Sequence, residues 1–60
     1  MKFKINQIVR GKFAGVFVIL NRVFYCGEYY YDLKEVNPDN LGQTASGGLR
    51  LPESALRFYN

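Results

Sequence analysis

The chain has no histidine, no tryptophan and a single cysteine, Cys26, among its 60 residues. Without histidine the usual general base near neutral pH is missing, and the common zinc-ligand sets cannot be assembled. One cysteine cannot form an internal disulfide, and Cys26 has no histidine to activate it as a nucleophile. We therefore predict no catalytic residue, no metal and no cofactor, and we interpret the chain as a binding module rather than an enzyme.

Long apolar runs are also missing. The longest run, Val16 to Leu20, is far too short to span a membrane. Lys2 and Lys4 are not followed by the apolar stretch that a signal peptide needs. These features and the lone cysteine predict a cytoplasmic protein with no membrane contact. No glycine pattern that cradles nucleotide phosphates occurs, and no small-molecule substrate is evident.

What the chain does contain is short β-strand patterns. Its length predicts one domain over residues 1–60. Stretches rich in β-branched and aromatic residues alternate with turn residues such as Gly11, Gly15 and Cys26-Gly27. We predict strands over about 5–10, 16–22, 28–36, 48–51 and 57–59, a long polar loop over 37–46, and one helical turn over 52–56.

The alternation of side chains along each strand predicts the core. Asp32 and Lys34 must face water, so Tyr31 and Leu33 on the other face of the third strand point inward. On the second strand we assign the valine face to the core, which leaves Phe17 and Ile19 for outward display. The predicted core residues are Ile8, Val16, Val18, Leu20, Tyr31, Leu33, Leu49, Leu51 and Leu56.

The order of these parts resembles a known family. Gln7-Ile-Val-Arg-Gly-Lys-Phe-Ala-Gly-Val-Phe-Val-Ile-Leu is similar to the opening of SH3-like barrels of the KOW and Tudor types, and Glu28 to Leu33 resembles their third strand. Leu49-Arg-Leu-Pro-Glu-Ser-Ala-Leu-Arg-Phe-Tyr resembles their close, in which a leucine from a helical turn plugs the barrel. The resemblance implies an all-β fold, a five-stranded SH3-like barrel with one short helical turn before the last strand.

The chain departs from that family in two places. Residues 37–48 make a long loop for a KOW barrel, and the Ala-Leu-Tyr-Asp-Tyr opening of signalling SH3 domains is missing. The tryptophan with which signalling domains grip proline ligands is missing too. Small free-standing barrels of this style occur in phages, plasmids and bacteria, which is the origin that the resemblance implies.

Two binding functions fit the pattern. An exposed apolar strip of Phe17, Ile19 and Tyr30 would bind a protein partner or a second copy of the chain. Alternatively, the N-terminal half would bind nucleic acid, because its basic residues are interleaved with aromatics that can stack on bases. Those basic residues are Lys2, Lys4, Arg10, Lys12 and Arg22.

A structural reading competes with the nucleic-acid hypothesis. The lysines would keep an edge strand soluble, and Phe3 and Phe13 would pack over the ends of the barrel. The net charge of +3 is modest for a nucleic-acid-binding domain. We therefore favour protein interaction and keep nucleic-acid binding as the alternative.

Overall fold

The computed structural model describes residues 2–59, which form β-strands and one 3-10 turn. The strands are β1 (Ile8–Gly11), β2 (Val16–Tyr25), β3 (Glu28–Asn37), β4 (Asn40–Thr44), β5 (Leu49–Pro52) and β6 (Leu56–Phe58). The 3-10 turn, Glu53–Ala55, joins β5 to β6 and falls within the helical turn predicted from Pro52. The prediction of an all-β chain is confirmed. No helix within residues 2–59 is long and apolar enough to cross a membrane.

The long antiparallel hairpin of β2 and β3 is the centre of the sheet. Its turn consists of Cys26 and Gly27, whose φ angles are 51° and 81°. Positive φ at both positions is what a two-residue type I′ turn requires, and this turn matches the twist of the flanking strands. A β-bulge interrupts the pairing between Ile19 and Asn21. Because bulges bend and twist a strand, the hairpin curves at this point.

The strand order is β4-β3-β2-β1-β6, and β5 also pairs with β3. All pairings are antiparallel. Between residues 2 and 59, no pairing joins the two ends of this sheet, so closure into a barrel is not confirmed. The sheet also has six strands rather than the five that we predicted.

The additional strand, β4, lies in the segment predicted to be a polar loop. Asn37 pairs with Asn40 across the two-residue turn of Pro38 and Asp39. The Asn37 side chain accepts a hydrogen bond from the Asp39 N–H (2.9 Å) and donates one to Gln43 Oε1 (3.1 Å). Polar side chains thus satisfy the turn locally, as asparagine often does, and the hairpin forms without an apolar strand pattern.

The core lies on one face of the curved sheet. Three of the predicted core residues, Tyr31, Leu33 and Leu56, are buried, which confirms their placement. The buried cluster consists of Phe3, Val9, Phe17, Ile19, Tyr31, Leu33 and Leu56.

The predicted face of the second strand is wrong. Ile19 pairs with Leu33 and Val18 pairs with Lys34. Cross-strand partners share a face, so Ile19 lies in the core with Leu33, and Val18 lies on the outer face with Lys34. Phe17 is 8% exposed and Ile19 is fully buried, whereas Leu20 at the bulge is 45% exposed.

The other core residues predicted from the same pattern are corrected in the same way. Val16 and Val18 are half-buried on the outer face. Ile8 is half-buried, and its neighbour Val9 takes the core position on β1. On β5, Leu49 is 40% exposed and Leu51 packs against the edge of the core cluster.

A hydrogen-bond network attaches the segment before β1 to the 3-10 turn. The buried Tyr31 hydroxyl donates to Glu53 Oε2 (2.5 Å), and the same oxygen accepts the Lys2 N–H (2.9 Å). Phe3 sits edge-on to both Tyr31 and Phe58, with ring centroids 5.6 and 5.0 Å apart. The hydrogen bond from Tyr31 is the largest cause of a lowered Glu53 pKa, and burial is the largest cause of a raised Tyr31 pKa.

Candidate nucleic-acid interface

The loop between β1 and β2 is tight because it begins and ends on glycine. The Gly11 N–H donates to the Gly15 carbonyl (2.9 Å). A Cβ on Gly11 would lie 2.1 Å from the Ala14 carbonyl oxygen, and one on Gly15 would lie 2.7 Å from the Phe17 ring. Gly15 also has a φ of 89°, which favours glycine. The loop therefore rests directly on the ring of a core residue.

The same loop is hydrogen-bonded to the 3-10 turn that precedes β6. The Lys12 N–H donates to the Ala55 carbonyl (2.8 Å), and β1 pairs with β6 so that Gly11 lies opposite Leu56. The loop and β6 flank a groove of about 290 Å³, here called the basic groove. Its lining residues are Arg10, Gly11, Lys12, Phe13, Ala14, Gly15, Val16, Arg57 and Phe58.

The basic groove concentrates positive charge. Arg10 and Arg57 are direct cross-strand partners on β1 and β6. Like charges in this position repel each other and destabilise a sheet. Lys12 adds a third cation, and among residues 2–59 no acidic residue lines the groove. The one ion pair formed within residues 2–59 joins Arg50 to Asp32, so the cations of the groove have no carboxylate partner there. The arrangement is suited to an anion, which would relieve the repulsion.

Phe13 stands at the rim of the basic groove. Its side chain is 93% exposed, and the Lys12 ammonium lies 5.9 Å from the centroid of its ring. The reading that packs both Phe3 and Phe13 over the ends of the fold is right for Phe3, which is fully buried, and wrong for Phe13.

The predicted basic residues are only partly brought together. Arg10 and Lys12 line the groove, whereas Lys2, Lys4 and Arg22 do not. Lys2 and Lys4 are exposed in the segment before β1. Arg22 is exposed in the distal half of the hairpin, beyond the bulge, where it pairs with Tyr31.

Sequence reasoning missed Arg57 as a site residue. A signal for it existed, since Arg57 belongs to the predicted last strand. Antiparallel pairing of that strand with the first one places Arg57 opposite Arg10.

The predicted apolar strip does not exist as an exposed surface. Phe17 and Ile19 are buried for the reason given above, so their outward display is corrected. Tyr30 is half-buried and lies on the outer face, opposite Val23. There it lines a mostly apolar recess of about 350 Å³ with Val23, Tyr25 and Arg50, here called the hairpin recess.

One wall of the hairpin recess is held by an ion pair. Arg50 Nε and Nη2 donate to the two carboxylate oxygens of Asp32, at 2.6 and 3.2 Å. The hydrogen bond from Arg50 is the main reason that the pKa of Asp32 is lowered. Tyr25 at the opposite rim is 65% exposed. The recess therefore has an apolar floor and a planar guanidinium already occupied by a carboxylate.

The remaining reactive groups are scattered. Cys26 is a free, exposed thiol at the hairpin turn. Within residues 2–59, no three histidine, cysteine, aspartate or glutamate side chains are grouped as a metal site would need. Comparison with known proteins finds no matching family model, no matching curated protein and no matching solved structure.

Proposed function

We propose that this protein is a small binding module that takes nucleic acid in the basic groove. The observation that carries the proposal is the placement of Arg10 directly opposite Arg57, with Lys12 beside them and no acid in the lining. Folding holds these cations against their mutual repulsion, and a phosphate backbone would neutralise them. Arginine suits this task, since its guanidinium matches phosphate geometry.

A polymer of phosphates fits the groove better than a single small anion. The cations come from three segments, β1, the loop and β6, so the positive charge is spread along the groove. Several phosphates joined in one chain can contact them together, and each contact releases condensed counterions into the solvent. The modest net charge of +3 is compatible with this function because three of the cations, Arg10, Lys12 and Arg57, line one groove.

The test is a titration of the protein into a fluorescein-labelled oligothymidylate of about 12 nucleotides, followed by fluorescence anisotropy at several salt concentrations. If each of the three cations of the groove contacts one phosphate, the slope of the logarithm of the binding constant against the logarithm of the salt concentration should be about −2. The double variant Arg10→Gln with Arg57→Gln should bind weakly and show a slope of about −0.7.

Arg22→Gln is the matched control. It removes the same charge from an exposed strand position on β2, outside the groove, so it should change affinity little. Removing either groove arginine relieves like-charge repulsion, so Arg10→Gln should melt no lower than the parent while binding less. If the parent does not bind at low salt, or if Arg22→Gln weakens binding as much as Arg10→Gln, the basic groove is not the site.

A second candidate function is protein interaction through the hairpin recess. The observation in its favour is the apolar lining by Val23, Tyr25 and Tyr30, since tyrosine offers a large contact area at low entropic cost. The hairpin recess replaces the predicted strip as the surface for protein interaction, because Phe17 and Ile19 are buried. Sedimentation equilibrium of the parent and of Tyr25→Ser tests it for self-association. Self-association that is insensitive to salt and lost in Tyr25→Ser would support it, and a monomer at all concentrations would count against self-association.

We also propose that the curved sheet belongs to the SH3-like architecture. The support is that β5 pairs with β3 and β6 pairs with β1, while only the three-residue 3-10 turn joins β5 to β6, so the two sides of the sheet approach each other. A cytoplasmic location accords with the exposed free thiol of Cys26, which a reducing compartment would keep reduced.

A further inference from the structure

We infer that Phe13 is a stacking platform for an unpaired base, so that the basic groove selects single-stranded over double-stranded nucleic acid. This inference rests on the proposed function and names its ligand class. Phe13 is the most exposed of the large apolar side chains of the described chain, at 93%. The Lys12 ammonium lies over the ring, 5.9 Å from its centroid, and a ring this exposed still offers aromatic surface on which a base can stack.

The loop holds Phe13 in place. Its two ends are joined by the hydrogen bond between Gly11 and Gly15 (2.9 Å), and Lys12 is fixed to Ala55 (2.8 Å). Phe13 follows Lys12 directly, so its backbone is attached to a residue with a fixed position. Because the loop backbone is anchored, only the side-chain torsions of Phe13 would need to be ordered when a base stacks on the ring.

The neighbours of Phe13 point to a nucleotide rather than to an apolar partner. The Lys12 ammonium lies 5.9 Å from the ring centroid, and Arg10 and Arg57 line the same groove. A base on the ring would therefore place its own phosphate among cations. A single strand can make both contacts at once, because its bases are free to stack on the ring while its phosphates bind the cations of the groove. In a duplex the base faces are covered by their neighbours, so Phe13 would have no partner.

The experiment compares four labelled probes of equal length: oligothymidylate, oligouridylate, an abasic strand with the same phosphates, and a mixed-sequence duplex. The variants are Phe13→Ala, which removes the ring, and Phe13→Tyr, which retains it. Phe13→Ala should bind the oligothymidylate about 5- to 150-fold less tightly, as the loss of one stacked base does. The same variant should bind the abasic strand as the parent does, and Phe13→Tyr should restore binding to the base-containing strands.

Thermal melting controls for folding, and both variants should melt with the parent because Phe13 is 93% exposed. If the abasic strand or the duplex binds the parent as tightly as the oligothymidylate, stacking by Phe13 is refuted while groove binding stands. If no probe binds at low salt, the proposed function itself fails.

Discussion

The most direct test of the fold compares two neighbouring isomers, Ile19 and Leu20. The two side chains contain the same number of carbons, so truncating either one to alanine removes the same apolar volume. Ile19 is fully buried opposite Leu33, whereas Leu20 sits at the bulge and is 45% exposed. Any difference between Ile19→Ala and Leu20→Ala therefore reports burial and not side-chain chemistry.

The expected cost of each truncation follows from this burial. Removing three buried carbons at Ile19 costs about 2.4 kcal/mol in transfer free energy, at about 0.8 kcal/mol each. The cavity left behind raises the cost to about 3–4 kcal/mol. At Leu20 about half of the transfer cost applies and little cavity forms, so about 1 kcal/mol is expected. A domain of this size has about 3–9 kcal/mol of stability, so Ile19→Ala should lose a large fraction of it and be partly unfolded at the lower end of that range.

Urea denaturation followed by circular dichroism measures both free energies of unfolding. If Ile19→Ala is too unstable to fold, the smaller truncation Ile19→Val can be measured instead, and it should lower the free energy of unfolding by about 0.5–1.5 kcal/mol. A Leu20→Ala variant that is destabilised as much as Ile19→Ala, or more, would refute the register. It would then restore the opposite face assignment, in which Leu20 lies in the core and Ile19 is displayed.

Three further predictions concern the network, the loop and the core. Glu53 has a lowered pKa. Its carboxylate therefore contributes to the free energy of unfolding above its ordinary pKa of 4.5, and this contribution is lost as pH falls through the lower pKa of the folded state. Tyr31 has a raised pKa. Its neutral hydroxyl therefore contributes fully to the free energy of unfolding below its ordinary pKa of 10.0, and this contribution is lost as pH rises through the higher pKa of the folded state. Urea titrations of Tyr31→Phe should therefore show a flatter dependence on pH at both extremes, and an unchanged profile would contradict the network. Gly15→Ala should lower the melting temperature, since the new Cβ would lie 2.7 Å from the Phe17 ring at a φ of 89°; equal melting would show that the loop can relax. Leu56→Ala should cost about 2–5 kcal/mol in chemical denaturation, and a loss below about 1 kcal/mol would contradict its burial.

Local sequence signals determined several parts of this fold. Polar Asp32 and Lys34 left one arrangement for β3, so Tyr31 and Leu33 were placed correctly in the core. Glycine after Cys26 marked the hairpin turn, and Pro52 marked the 3-10 turn that precedes buried Leu56. Charged residues face water, glycine suits a tight turn and proline suits the start of a helical turn. Each of these preferences is local, so the structure at these positions can be predicted without knowing the distant parts of the chain.

Other parts were decided only by tertiary pairing. Residues 16–20 are apolar at every position, so alternation cannot distinguish their faces, and the register of Ile19 with Leu33 chooses between them. Strand β4 was missed because its five exposed residues have no core face to create a pattern. It forms because the polar hairpin turn returns the chain alongside β3.

The candidate site shows the same division. Arg10, Lys12 and Phe13 are close together simply because they are near one another along the chain. Only the pairing of β1 with β6 places Arg57, which is 47 positions beyond Arg10 in the sequence, directly opposite it. Likewise, only the tight loop over Phe17 leaves Phe13 in solvent while Phe3 enters the core. Charge and aromaticity belong to the residues themselves, but which cations lack a partner and which ring lacks a cover depend on contacts between distant segments.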